Sequence, residues 1–215
     1  MKERPVIFNG EMVRAILDGR KTQTRRALNW KRQPYTEMAE RDDGSLWPWA
    51  EDGERGGDIW FPCPFGEVGD RLWVRETFQG PLIPEDELSE YLGANPDKFQ
   101  SPAYCEYAAD GGAKPEYVDS DENTRYGWRP SIHMPRWASR ITLEITAVRV
   151  ERLNDISDGD AIREGCSAAD MKSGDCVADV FARLWASIYG VDSWNANPWV
   201  WVLEFKQVSE ESQHG

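Results

Sequence analysis

The run Arg140-Ile141-Thr142-Leu143-Glu144-Ile145-Thr146-Ala147-Val148-Arg149-Val150 constrains the fold more than any other segment of the chain. Its Ile141, Leu143, Ile145, Ala147 and Arg149 recur at every second position, which gathers them on one side of a strand but scatters them around a helix. A strand of this length with one apolar side needs a sheet that buries that side, so the rest of the chain has to supply partners. Candidates are Val6-Ile7-Phe8, Ala27-Leu28 after a basic turn, 71–78 after the turn Gly69-Asp70, and the closing run 199–205. In 71–78, Leu72, Val74 and Glu76 share one face, and Tyr104-Cys105-Glu106-Tyr107 reads as a hairpin arm.

Helices are fewer. Asn9 is placed to cap a helix over 11–18 whose Met12, Val13, Ile16 and Leu17 form one face, with Gly19 as its left-handed stop. Ser157 or Asp158 caps a short helix over 159–164 closed by Gly165. The spacing of Val180, Phe181, Leu184, Trp185 and Ile188 predicts a helix over 177–189. Strands outnumber helices and lack the βαβα alternation of a parallel sheet. These patterns predict a mainly β, α+β fold: a small barrel with short flanking helices. Residues 30–66 and 79–127 are rich in Pro, Gly and acid with no sustained period, and are read as two long irregular insertions. The organisation expected is a single domain over 1–208 with a polar tail at 209–215.

Charge narrows the function classes. The chain carries 38 Asp and Glu against 25 Lys and Arg, a net charge of −13. Phosphate backbones are bound mainly through Lys and Arg, so a chain this acidic does not coat nucleic acid unless its cations are concentrated. No apolar run approaches a membrane span and the N-terminal residues lack a secretory pattern, so a soluble, cytoplasmic protein with no membrane partner is expected. Cys63, Cys105, Cys166 and Cys176 show no metal-ligand or redox spacing, and reduced thiols are expected. The cations do gather once: Arg14, Arg20, Lys21, Arg25, Arg26, Lys31 and Arg32 stand against Asp18 alone. Such an island is either a solvated basic face or a site for an anionic or polar substrate. Lys21 beside the hydroxyls of Thr22 and Thr24 is a base-and-nucleophile pattern only if another group completes it. Eleven Trp residues supply either a core or flat walls on which a base could stack, and Trp73, Trp128, Trp137, Tyr104 and Tyr107 are the candidates. His133, in the context Ile132-His133-Met134-Pro135, is one of two histidines and reads as a structural residue, a general acid, a donor to a base edge or a metal ligand with Cys63 or Cys105.

Four separated motifs occur together: Gly19-Arg20-Lys21-Thr22-Gln23-Thr24-Arg25, Gly69-Asp70-Arg71-Leu72, Ala161-Ile162-Arg163-Glu164-Gly165 and the closing strand. In this order they resemble the ASCH family, whose fold is a PUA-like β-barrel. Cys63-Pro64-Phe65-Gly66 and the run from Trp128-Arg129-Pro130 to Ser139-Arg140 look like the phage and prophage branch of that family, whose members carry large insertions. Some small bacterial members are amidohydrolases that remove the acyl group of N4-acetylcytidine through a Lys, a Thr and a Glu. Residue by residue, those match Lys21, Thr24 and Glu164 here. The resemblance implies Thr24 as nucleophile with Lys21 as its base, or Lys21 and Glu164 activating water while Thr24 binds substrate. Glu164 would orient Lys21, shuttle a proton or protonate the leaving N4. Arg20, Thr22, Arg25, Trp73, Glu76, His133, Arg136 and Trp137 are the candidate substrate-binding residues, with backbone N–H groups, Arg20 or Arg25 facing the oxyanion. No cofactor and no metal are expected, and the partner is a nucleoside or nucleotide, or a short RNA. The alternative reading is a non-catalytic PUA-like module that binds RNA or a modified base, and a third is a phage protein whose acidic insertions meet a host factor.

Overall fold

The structure is a computed structural model that describes residues 1–29, 37–54, 56–93, 96–118 and 123–208. In chain order the elements are β1 (Glu3–Ile7), α1 (Gly10–Leu17), β2 (Gln23–Ala27), β3 (Glu37–Glu40), β4 (Leu46–Glu51), β5 (Asp58–Trp60), β6 (Arg71–Arg75) and β7 (Phe78–Gln79). They continue with α2 (Leu88–Gly93), β8 (Glu106–Tyr107), β9 (Glu116–Val118), β10 (Thr124–Tyr126), β11 (Thr142–Arg152), α3 (Asp158–Arg163), α4 (Val177–Tyr189), α5 (Val191–Asn195) and β12 (Trp199–Gln207). Mixed α and β with more strand than helix is the expected class. The closed barrel is not what the strands form: among the described residues they make several sheets, and none closes on itself. The reason lies in where pairing goes, because β3, β4 and β5 pair among themselves, as do β7 with β8 and β9 with β10, in local antiparallel ladders. No helix among the described residues is long and apolar enough to cross a membrane. Contacts divide the chain into two compact units, one made of 1–2, 18–71 and 144–206, the other of 3–17, 72–143 and 207–215.

In the first unit β11, β12 and β2 lie side by side. Antiparallel pairing sets Val202 opposite Arg25, Leu203 opposite Thr24 and Glu204 opposite Gln23. Directly opposed residues share a sheet face, so Gln23, Arg25 and Val202 lie on one face and Thr24 and Leu203 on the other. The first of these faces is covered by α3 and α4: Val200 and Val202 pack with Ala161, Val177, Phe181 and Trp185, joined by Leu153 and Ile156. The α4 stripe buries Val180, Phe181 and Trp185 as its spacing predicts, while Ile188 stays 43% exposed where the helix outruns the core. Truncation of Phe181 to Ala should cost about 3–5 kcal/mol of unfolding free energy in a denaturant titration, the usual range for a large buried aromatic. A loss below about 1 kcal/mol would mean that this cluster is not the core.

The insertion expected to be irregular over 30–66 instead holds the antiparallel sheet β3-β4-β5, with Ala39 opposite Trp47 and Trp49 opposite Trp60. Its strands escape an alternation test because Leu46-Trp47-Pro48-Trp49 breaks the polar positions with Pro and Trp. Aromatic packing binds it instead: Trp47 meets Trp201 edge to face at 5.0 Å, and the Arg41 guanidinium stands 4.0 Å from the Trp47 ring centre. Residues 30–36 and the tail 209–215 lie outside the described residues, as do the island members Lys31 and Arg32.

The second unit contains α1, with β1 beside β6. Asn9 caps α1 as expected, its Oδ1 accepting from the Met12 N–H at 2.9 Å, and Gly19, with a φ of 71°, follows in the left-handed region. Val13, Ala15 and Ile16 form the buried face, whereas Leu17, expected on it, is 41% exposed in the last turn. The expected strand over 71–78 is two pieces, β6 and β7, and the hairpin arm is β8, which sets Tyr107 opposite Phe78. Phe78, Tyr107, Met134 and Ala138 form the local core, with Trp137 against it. The second insertion also holds β9 and β10, with Arg125 opposite Tyr117.

Candidate active site

The candidate site forms where β2 meets α3 in the first unit. The Gly19 turn ends α1 and carries the chain into β2, so Lys21, Gln23 and Arg25 follow one another at alternate positions. Ser157 caps α3, accepting from the Asp160 N–H at 3.1 Å, and Gly165, with a φ of 95°, closes it, which fixes Asp160 and Glu164 one turn apart. The Thr22 N–H donates to the Arg163 carbonyl at 2.8 Å and ties the two elements by their backbones.

The Lys21 ammonium is wholly buried and donates to Glu164 Oε2 at 2.6 Å and to the Glu164 carbonyl at 2.9 Å. Arg25, equally buried, donates through Nη1 to Glu164 Oε1 at 3.2 Å, so each carboxylate oxygen holds a different cation. Arg25 Nη2 donates to Glu151 and lies 3.3 Å from Asp160 Oδ2. The network continues outward through Arg149, which donates to Glu151, Asp160 and Glu204, and through Arg163, which donates to Asp160 and to Gln23 Oε1. The cations at the centre of the basic island are therefore neutralised internally, not presented to solvent. Burial drives the Lys21 pKa below the ordinary lysine value; Glu164 opposes that shift, Arg26 adds to it and Cys166 opposes it weakly. The neighbouring Cys166 thiol is pushed up to about 11, chiefly by burial. An ammonium in this position yields its proton more readily than one in water, while a carboxylate at hydrogen-bond distance can receive or return it. Pairs of this kind occur in general acid–base catalysis and in structural ion-pair networks alike.

The other expected site residues fall as follows. Thr24 is 3% exposed, opposite Leu203, on the strand face away from Gln23 and Arg25. Thr22 is half-buried, and its carbonyl accepts from the Phe205 N–H at 2.9 Å. Arg20 is exposed, paired with Asp18 at 2.9 Å and donating to the Gly165 carbonyl at 3.2 Å. Arg25 was expected to bind substrate or an oxyanion, yet its terminal nitrogens are engaged by three carboxylates.

Trp73, Glu76, His133, Arg136 and Trp137 belong to the second unit. Glu76 there is nearly fully buried and accepts both Nε and Nη2 of Arg140, at 3.0 and 3.1 Å. Arg140 also donates to both oxygens of Asp110 and sits 3.9 Å from the Tyr107 ring centre, so its donors are taken up by this cluster. Burial raises the Glu76 pKa, and Arg140 restrains the rise. Arg136 pairs with Glu3 at 3.0 Å and bonds Thr142, His133 is exposed, and Trp73 is half-buried with the Arg75 guanidinium 5.5 Å from its ring. Tyr107 donates to the Ala138 carbonyl at 2.9 Å, and Tyr104 donates to Glu87 at 2.9 Å and packs on Phe99. Core and surface packing account for these aromatics.

No family model, curated protein or solved structure matches the chain. Gln23, Glu151 and Asp160 were missed by sequence reasoning. Asp160 had a signal, the Ser157-x-x-Asp160 capping pattern, whereas Glu151 and Gln23 read as ordinary polar strand positions. Among the described residues no three His, Cys, Asp or Glu side chains are grouped so as to hold a metal ion.

Proposed function

We propose that the chain is an amidohydrolase that removes the acyl group from N4-acylated cytosine nucleosides or nucleotides, as its resemblance to the ASCH family implies. The observation that carries this reading is the buried Lys21–Glu164 pair at 2.6 Å, with Lys21 shifted towards its neutral form. In the proposed reaction neutral Lys21 takes a proton from water as the water oxygen bonds to the acyl carbon. The C–N4 bond then breaks, and the proton passes by way of Lys21 and Glu164 to the leaving N4, giving the free cytosine amine and a carboxylic acid that releases its proton to solvent. Because Thr24 projects to the other strand face, away from Gln23 and Arg25, this version routes no step through the Thr24 hydroxyl. The short-RNA partner is not proposed, since counterion release requires cations free for phosphates and Lys21 and Arg25 are engaged with carboxylates.

Absorbance-monitored conversion of N4-acetylcytidine to cytidine tests the reading, and its pH dependence gives the sign. The active form has Lys21 deprotonated, so kcat/KM rises with pH, with its midpoint below the ordinary lysine value of 10.5. A rate that instead falls as the solution is made alkaline from neutrality would remove Lys21 as the base. Recovery of an acyl-Thr24 adduct by mass spectrometry would replace the water mechanism with the covalent one.

A further inference from the structure

The side-chain amide of Gln23 has no use in the mechanism above, and its surroundings are unusual. Gln23 is fully buried on the strand face shared with Arg25, between Lys21 and Arg25 in sequence. Its orientation is fixed chemically, because Arg163 Nε donates to it at 3.2 Å and only the oxygen can accept. The Nε2 donor therefore points elsewhere, and among the described residues it has no hydrogen-bond partner; neither does the buried Nε of Arg25, two residues on. A buried donor is costly to leave without an acceptor, and the Gln23 amide donor lies on the same strand face as Arg25, whose Nη1 donates to Glu164. We propose that Gln23 Nε2, with the Nε–H of Arg25 beside it, is the subsite that binds the carbonyl oxygen of the ligand reacting at Lys21. This rests on the hydrolase reading. The two donors would strengthen their hold as that oxygen gains negative charge in the tetrahedral intermediate, the role of an oxyanion hole in a water-poor site.

Gln23→Met keeps the length of the side chain and removes the unpartnered donor together with the oxygen that accepts from Arg163, whose half-exposed side chain can bond water instead. Its kcat/KM on N4-acetylcytidine should fall about 100-fold or more, the scale of losing one oxyanion donor, while its melting temperature is not lowered. In the isotope-labelled wild type, the Gln23 side-chain amide resonance, recognised by its loss in the variant, should shift when N4-acetylcytidine is added. An unmoved resonance, a variant with full activity, or a variant that melts well below wild type overturns the subsite while the hydrolase reading stands on wild-type turnover. A resonance that shifts with no turnover preserves the subsite and overturns the hydrolase reading. Neither shift nor turnover overturns both.

Discussion

Glu164→Gln should destabilise the protein by about 3–5 kcal/mol at neutral pH, the cost of breaking a buried ion pair by removing one partner. The carboxylate holds two buried cations at once, Lys21 at 2.6 Å and Arg25 at 3.2 Å, and Arg25 keeps Glu151 and Asp160 when Glu164 is neutralised. Lys21 retains the Glu164 carbonyl but loses the carboxylate that opposes its desolvation. The variant therefore relieves itself by releasing the Lys21 proton, and the penalty shrinks as pH rises. The same logic gives the sign in the wild type. The folded state holds the Lys21 proton less tightly than the unfolded chain, so between the folded pKa and the ordinary lysine value stability increases with pH. Lys21→Met should cost less than Glu164→Gln, because Arg25 still pairs with Glu164. Chemical denaturation of both variants across pH measures the order. Equal losses, or a Glu164→Gln penalty that grows with pH, would contradict the electrostatic account.

Lys21→Met should lower kcat/KM on N4-acetylcytidine by roughly 10²–10⁴-fold, the range that general acid–base groups contribute. Its value as a test comes from the smaller stability cost. The variant remains folded at 25 °C if the core of Val200, Val202, Phe181 and Trp185 carries the unit, so lost activity cannot be ascribed to lost structure. Glu164→Gln should lose a comparable factor, and the double variant little more than either alone, because two groups passing one proton act as a unit.

Several elements were legible from side-chain periodicity and capping chemistry, both local signals. Val177–Tyr189 follows its spacing, α1 follows Asn9 and Gly19, α3 follows Ser157 and Gly165, and β11 follows the alternation of Ile141, Leu143 and Ile145. The β3-β4-β5 sheet was not legible, because its stability comes from Trp47 against Trp201 and from Arg41 on Trp47, contacts that leave no period in the sequence. Barrel closure was over-read from the number of strands, when several of them serve local hairpins. At the site, Lys21 and Glu164 are separated by 143 positions, and only their resemblance to a family motif linked them in advance. The roles of Arg25, Glu151 and Asp160 were hidden for a different reason. In sequence a cation in a basic run looks available to a ligand, and only the fold shows it surrounded by carboxylates. The network's cations, Lys21, Arg25, Arg149 and Arg163, are matched by Glu151, Asp160, Glu164 and Glu204, so the net charge of −13 arises outside it.

The most direct test of the Lys21–Glu164 assignment is kcat/KM for N4-acetylcytidine in the wild type beside Lys21→Met, with folding of both checked by circular dichroism. The account predicts turnover by the wild type and a loss of at least about 100-fold in a folded variant. A wild type inert towards N4-acylated cytidines, or a Lys21→Met variant as active as the wild type, would contradict it.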